Sequence, residues 1–210
     1  MRISYAITVC NEYIELEQLL AQLNKFIQSD EAEVVILKDT SKDNEQVHKV
    51  IGKYIDRFPK VIIESRNFDN DFAAHKNYLN SKCTGEYIFQ IDADEIPSSI
   101  LLKELENQIH LLDNPDVIWV PRINIVNGLT NAWVKKWGWH IDSRGFVNFP
   151  DWQGRLYRNT KDIIWYNKVH EKLIGFSSIK KLPQDEKYAL LHVKEIQRQV
   201  QQNELYDKLS

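Results

Sequence analysis

Hydrophobic positions in the first half of the chain switch repeatedly between two periods. Ile3 to Val9 is a β-branched run that predicts a strand. Leu16, Leu19, Leu20, Leu23, Phe26 and Ile27 then recur at the three-and-four spacing of a helix burying one face. Val34 to Leu37 is short and wholly apolar, the pattern of a strand buried on both sides. Val47, Val50, Ile51, Tyr54 and Ile55 mark a second helix, Val61 to Ile63 a third strand, Asp71 to Ser81 a third helix and Tyr87 to Ile91 a fourth strand. Ser98 has the chemistry of an N-cap for a helix with Leu101, Leu102, Leu105, Ile109 and Leu112 inward, before a strand from Val117 to Val120 and Pro121.

Alternating strands and helices, with strands almost continuously apolar, predict an α/β fold: a mostly parallel central sheet flanked by helices. Ligands of such sheets gather beyond the carboxyl ends of the strands. Asn11-Glu12, Asp39 and Asp92-Ala93-Asp94 all fall there. From about residue 122 the texture changes to four tryptophans, Trp133, Trp137, Trp139 and Trp152, among scattered Gly, Asn and charge. This half is expected to hold loops and short antiparallel strands, then a last strand over Ala189 to Val193 and a polar helix over Glu195 to Leu209. The tryptophans fit either a core or a cleft in which one or two face a sugar ring.

At 210 residues, 43% hydrophobic and 27% charged, the chain is read as one globular domain, 1–210. A net charge of -3 gives no general attraction for nucleic acid or anionic lipid, so no nucleic-acid partner is expected. Cys10 and Cys83 lack metal-ligand spacing and suit a reducing compartment. No run reaches the ~18 apolar residues of a membrane span. The expectation is a soluble, cytoplasmic protein, with peripheral membrane contact through a patch or partner left open.

The stretch FQIDADEIP ends an apolar strand in Asp92, Asp94 and Glu95 with no basic residue among them. Carboxylates this close repel unless a cation joins them. Mg²⁺ or Mn²⁺, held by one or two carboxylates and substrate phosphates, answers that need. Asp-X-Asp alone is common in exposed turns; its place after a buried strand gives it weight.

Several segments together resemble family 2 glycosyltransferases of the GT-A fold: ITVCNEYIELEQLL, VVILKDTSKDNE and TGEYIFQIDADE. FAAHKNYLNSKCTGEY, VPRINIVNG, PDWQGRLYRN and WYNKVHEKL are similar to its branch related to lipopolysaccharide-core glucosyltransferases. The likeness spans roughly residues 3 to 193. It departs at Lys38, where the family usually carries a second acidic residue before the one corresponding to Asp39. The resemblance implies a nucleotide-donor half, 1–121, and an acceptor half with a C-terminal helix, 122–210. It implies a metal-dependent, inverting transfer of a sugar from a nucleoside diphosphate donor, uridine favoured, to a glycan or glycolipid hydroxyl.

The resemblance also implies roles. Asp92 and Asp94 would bind the metal, Asp94 most directly, with His170 or His192 completing the site. Val9, Asn11, Glu12, Asp39, Arg66, Lys76, Asn77 and Ala93 would form the donor site, with Arg155 and Arg158 as bidentate phosphate clamps. Glu95 would support either the metal site or the following helix. Asp151 is the expected base for the acceptor hydroxyl, with Glu171 its rival. Two alternatives stand beside this reading: a non-catalytic nucleotide- or glycan-binding domain, and a metal-dependent phosphatase. A phosphatase of the haloacid dehalogenase type would carry its Asp-X-Asp on the first strand, and a sugar nucleotidyltransferase would need a glycine-rich loop where VCNEYIEL has no glycine.

Overall fold

The computed structural model describes residues 2–27, 32–42, 44–108 and 114–209. Strand β1 (Ile3–Val9) pairs in parallel with both β2 (Glu33–Asp39) and β4 (Tyr87–Asp92), and β3 (Val61–Arg66) pairs in parallel outside β2. Each crossover carries a helix: α1 (Tyr13–Leu23), α2 (Glu45–Tyr54) and α3 (Phe72–Asn80). Parallel strands send their carboxyl ends to one edge of the sheet, so Val9, Asp39 and Asp92 emerge on the same side.

The helical stripes are buried as their spacing demands. Leu16, Leu19, Leu20 and Leu23 of α1 are wholly buried against β1 and β4 residues such as Ile7 and Phe89. Each such side chain contributes about 1.5 to 3 kcal/mol of transfer free energy. α1 ends at Leu23, however, and Phe26 and Ile27 lie in the following turn, Ile27 still buried. Ile55 falls in a 3₁₀ turn after α2 and is exposed, because the helix ends before its apolar face completes another turn. Asp71 caps α3 by accepting from the Ala74 N–H at 2.8 Å. The opposite face of the sheet packs α3 with Tyr157 and Trp165, whose indole donates to the Tyr157 hydroxyl.

After the short strand β5 (Glu95–Pro97), Ser98 caps α4 (Ser99–Gln108) through the Leu101 N–H, and Leu101, Leu102 and Leu105 are buried as expected. Ile109 and Leu112 lie outside the described residues. β6 (Val117–Val120) leads to β7 (Arg122–Asn127) and the short helix α5 (Asn131–Trp137). β8 (Gln153–Arg158) inserts antiparallel between β4 and β6. β9 (Ile164–Tyr166) and β10 (Lys172–Ile174) form a hairpin, and β11 (Ile179–Lys181) pairs in parallel with β6. The main sheet therefore runs β11-β6-β8-β4-β1-β2-β3 and draws strands from both halves of the chain. Finally β12 (Leu190–Glu195) pairs antiparallel with β5 and parallel with β7, and α6 (Ile196–Leu209) follows. β7 thus departs from the antiparallel pairing expected for this half. Its partner arrives some 60 residues later and runs in the same direction.

Candidate active site

The carboxyl edge of the sheet opens into a cleft of about 1630 Å³. Five structural units supply its polar wall. The parallel strands deliver Val9, Asn11, Glu12, Asp39, Asp92, Ala93 and Asp94. The small sheet β5-β12-β7 sets Glu95 opposite His192 and His192 opposite Asn124 by register. β8 and the turn before it bring Asp151 and Arg155, while α3 and the β9–β10 hairpin bring Lys76, His170 and Glu171.

The charge crowding of FQIDADEIP is met by arginines far away in sequence. Buried Arg155 donates through one Nη2 to Asp92 Oδ2 and Glu95 Oε1, both at 2.6 Å. Arg122 donates to Glu95 Oε1 at 2.9 Å and grips Asp151 Oδ2 through Nε and Nη2 at 2.9 and 2.7 Å. Thr8 and Gln90 each donate to Asp92 Oδ1 at 2.9 Å, and Lys76 lies 3.7 Å from the same oxygen. Burial pushes the Asp92 carboxyl up, but the Arg155 and Lys76 charges and these hydrogen bonds hold it well below the usual range. The crowding that the sequence leaves to a metal is also met from within the protein, since Asp92 and Glu95 have arginine and lysine partners.

Asp94 is different. Its Oδ2 stands 3.3 Å from His192 Nε2 and 3.3 Å from Arg198 of α6, while its Oδ1 has no protein partner among the described residues. Burial opposes its ionisation, but the His192 hydrogen bond and the charges of His192, Lys194 and Arg198 depress it below the ordinary carboxylate value. The Asn124 amide donates to Asp151 at 2.6 Å, which turns its oxygen to His192 Nδ1 at 2.8 Å. By that network Nδ1 is the protonated nitrogen, and Nε2 is left facing a carboxylate. As an imidazolium the ring donates through Nε2 to Asp94, and as a neutral ring it offers a lone pair there, in which form the two groups are suited to share a cation.

Asp151 sits at φ 28° and accepts Gln153 Nε2 on Oδ1 at 3.0 Å. Burial pushes its carboxyl up, yet the Arg122 charge and the Asn124 bond keep it below the normal range, so it is ionised at neutral pH. Glu171 Oε1 is tied at 2.6 Å to Lys76, which also lies 4.6 Å from the Trp165 ring. Glu12 accepts the Cys10 and Asn11 N–H groups on Oε2 and Arg198 on Oε1 at 2.8 Å. Asp39 accepts the Ser41 and Phe68 N–H groups, closing the loops after β2 and β3.

Not every expected residue reaches the cleft. Arg158 lies at the far end of β8, paired with Tyr87, and donates to the Asn114 carbonyl; three residues along an extended strand from Arg155, about 10 Å, is already the distal side. Asn77 exchanges two hydrogen bonds with the Trp165 backbone, both 2.9 Å, and fastens α3 to β9. Arg66 donates to the Ala74 carbonyl and lies over the Tyr78 ring. These three are engaged in holding the fold. Of the two histidines, His192 is the one beside Asp94, whereas His170 packs edge-on against Tyr206. Trp139 and Trp152 line the cleft; Trp133 and Trp137 stand outside it. Arg122, Asn124 and Arg198 were not expected. The first two alternate along β7 and so share one face, a period-two signal within VPRINIVNG that could have revealed them.

A parallel sheet ending in this acidic cleft, with one antiparallel strand inserted, defines an α/β domain of the GT-A fold. The chain belongs to glycosyl transferase family 2, whose family model matches residues 4–182. Among solved structures it is similar to S. aureus TarS, at TM-score 0.66 and 17% identity over 92% of this chain and 37% of that one. TarS 1-349 in complex with UDP gives TM-score 0.64 at 17% identity, and the same segment in complex with UDP-GlcNAc 0.62 at 19%; both matches cover 92% of this chain, and 60% and 59% of the other chain respectively. The chain thus spans 60% or less of those structures. A curated protein, probable polyketide synthase 6 of Dictyostelium discoideum, is 37% identical over 73 residues, 34% of this chain and 2% of its own length.

Proposed function

We propose that this domain transfers a sugar, with inversion and with help from a divalent metal, from a nucleoside diphosphate donor to a hydroxyl of a glycan or glycolipid. A uridine donor and the lipopolysaccharide-core branch are the readings its sequence motifs favour. The observation that carries the proposal is the meeting of Asp94, His192 and Asp151 in one cleft, linked through Asn124.

Asp94 Oδ1 and His192 Nε2 are an oxygen and a nitrogen donor suited to Mn²⁺, or with Asp94 alone to Mg²⁺. Among the described residues no three His, Cys, Asp or Glu side chains form a cage. Substrate phosphates would complete such a shell. When bound, the metal would offset charge on the departing diphosphate.

The chain's own residues would do the rest. Asp151, ionised and with a free lone pair on Oδ1, takes the proton from the acceptor hydroxyl. That oxygen attacks the anomeric carbon from the face opposite the diphosphate, whose bond to the sugar breaks with both electrons. Arg122 and Asn124 hold Asp151 in place, and Lys76 supplies positive charge on the donor side. Glu171 is the weaker candidate for the base because Lys76 already engages it.

The test is a thermal-shift screen of uridine, guanosine and thymidine diphosphates and their sugars, with and without Mn²⁺. A ligand at about 100 times its Kd stabilises by about 2.7 kcal/mol, a rise of about 5 to 11 °C. A Mn²⁺-dependent rise with one nucleotide is expected. No rise with any of them overturns the donor assignment and leaves a glycan-binding domain as the alternative.

A further inference from the structure

Helix α5 buries none of its residues and has no extended contact with another helix or strand among the described residues. It is anchored at its carboxyl end, where Gly138 adopts a left-handed φ of 64°. His140 then exchanges two hydrogen bonds with Asn148, whose carbonyl accepts the Asp151 N–H at 2.9 Å. The helix therefore projects from the part of the molecule that carries the candidate base.

Its three indoles form one array. Trp133 and Trp137 stack with centroids 4.7 Å apart and planes at 23°, and Trp137 meets Trp139 at 4.6 Å and 45°. Lys136 Nζ lies 4.7 Å from the Trp133 ring centre. The faces of Trp133 and Trp137 are thus occupied by neighbouring indoles and by the Lys136 ammonium. A sugar would need an open face; what Trp133 and Trp137 offer is indole edges. Edge-on indoles beside lysines suit the boundary between water and lipid, where the rings take an amphipathic position and the ammonium groups meet phosphate. Residues 128–141 carry Lys135 and Lys136 and no acid, although the whole chain has net charge -3. Ile141, 37% exposed, adds apolar surface next to them.

We propose that α5, with Trp139 and Ile141, is a docking surface for an anionic lipid bilayer, placed beside the acceptor side of the cleft. The proposal is independent of the donor and metal assignments, because its test reads partition onto vesicles and not turnover.

The full chain is co-sedimented with vesicles of phosphatidylglycerol and phosphatidylcholine, and with phosphatidylcholine alone. Partition onto the anionic vesicles, weakened by salt, is expected. Lys135→Gln and Lys136→Gln should each reduce it about fivefold. Trp133→Ala with Trp137→Ala should bring it to the phosphatidylcholine level while the Tm and any nucleotide-induced shift stay unchanged. Should the tryptophan pair fail to fold, the lysine pair carries the same test. Wild-type protein that ignores anionic vesicles overturns the proposal, as do variants that partition like wild type. Self-association abolished by Trp137→Ala, without vesicle binding, would assign the face to a second copy instead.

Discussion

At the amino end of the parallel strands the buried carboxylate of Glu33 accepts from Ser4, from the Thr84 N–H and hydroxyl, and from Lys60. At the carboxyl end of the same strands Asp92, Asp94 and Asp151 are also partly or wholly shielded and heavily hydrogen-bonded, but they face a cleft, and among the described residues Asp94 Oδ1 is left without a protein partner. Burial opposes ionisation at both ends, and donors overcome it at both, bringing Glu33 down to about 2. A depressed carboxylate is therefore no mark of chemistry by itself. What separates the two ends is spare bonding capacity next to space for a ligand.

The sharpest way to test that contrast is to remove Asp94. Asp94→Ala should abolish sugar transfer and Mn²⁺-dependent nucleotide stabilisation while leaving the fold intact by circular dichroism; near-wild-type turnover would falsify the metal assignment. Asp151→Asn should lower kcat by about 10² to 10⁴ with donor affinity preserved, the size expected of a general base. If Glu171→Gln shows that pattern and Asp151→Asn does not, the base is Glu171.

The closed end should answer in stability alone. Glu33→Gln is expected to cost about 2 kcal/mol, a fall in Tm of about 4 to 8 °C, because buried donors lose their acceptor. Nucleotide-induced shifts should be unaltered, and any change in their size would link the two ends. Because the folded Glu33 carboxyl is depressed, its stabilisation is present above about pH 4.5 and is lost as pH falls toward 2. In the Glu33→Gln protein that part of the acid sensitivity of unfolding should disappear. The smallest effect concerns Arg198, which pairs with Glu12, Glu15 and Asp94. A cation binding Asp94 must compete with it, so Arg198→Gln should tighten Mn²⁺ binding several-fold in calorimetry, about 1 kcal/mol or less for one partly exposed pair. Unchanged or weaker Mn²⁺ binding would show that Arg198 does not oppose the cation.

Much of the donor half was legible because its signals are local. Strand Ile3–Val9, the Leu16 to Leu23 stripe and the Ser98 cap each depend on neighbours within a few residues, and all were found where the local pattern placed them. The acidic residues at the strand ends were legible for the same reason: parallel pairing carries every carboxyl end to one edge. Arg158, Asn77 and Arg66 were expected at the donor site from residue type and place in the chain, whereas strand direction and helix contacts engage them elsewhere. Arg122 went unread because its partners Glu95 and Asp151 lie 27 and 29 residues away, and Arg155, expected as a phosphate clamp, pairs with Asp92 and Glu95 at separations of 63 and 60 residues.

The sequence by itself determined the alternation of strands and helices, the parallel order of the first four strands and the side of the sheet on which chemistry would gather. Periodicity and chain direction are enough for those. Only the tertiary structure decided which carboxylates are already neutralised and which keep a lone pair for a cation, which histidine stands beside Asp94, and which tryptophans leave the cleft. Those depend on β8 entering between β4 and β6 and on β12 settling between β5 and β7, pairings across long separations that no local pattern encodes.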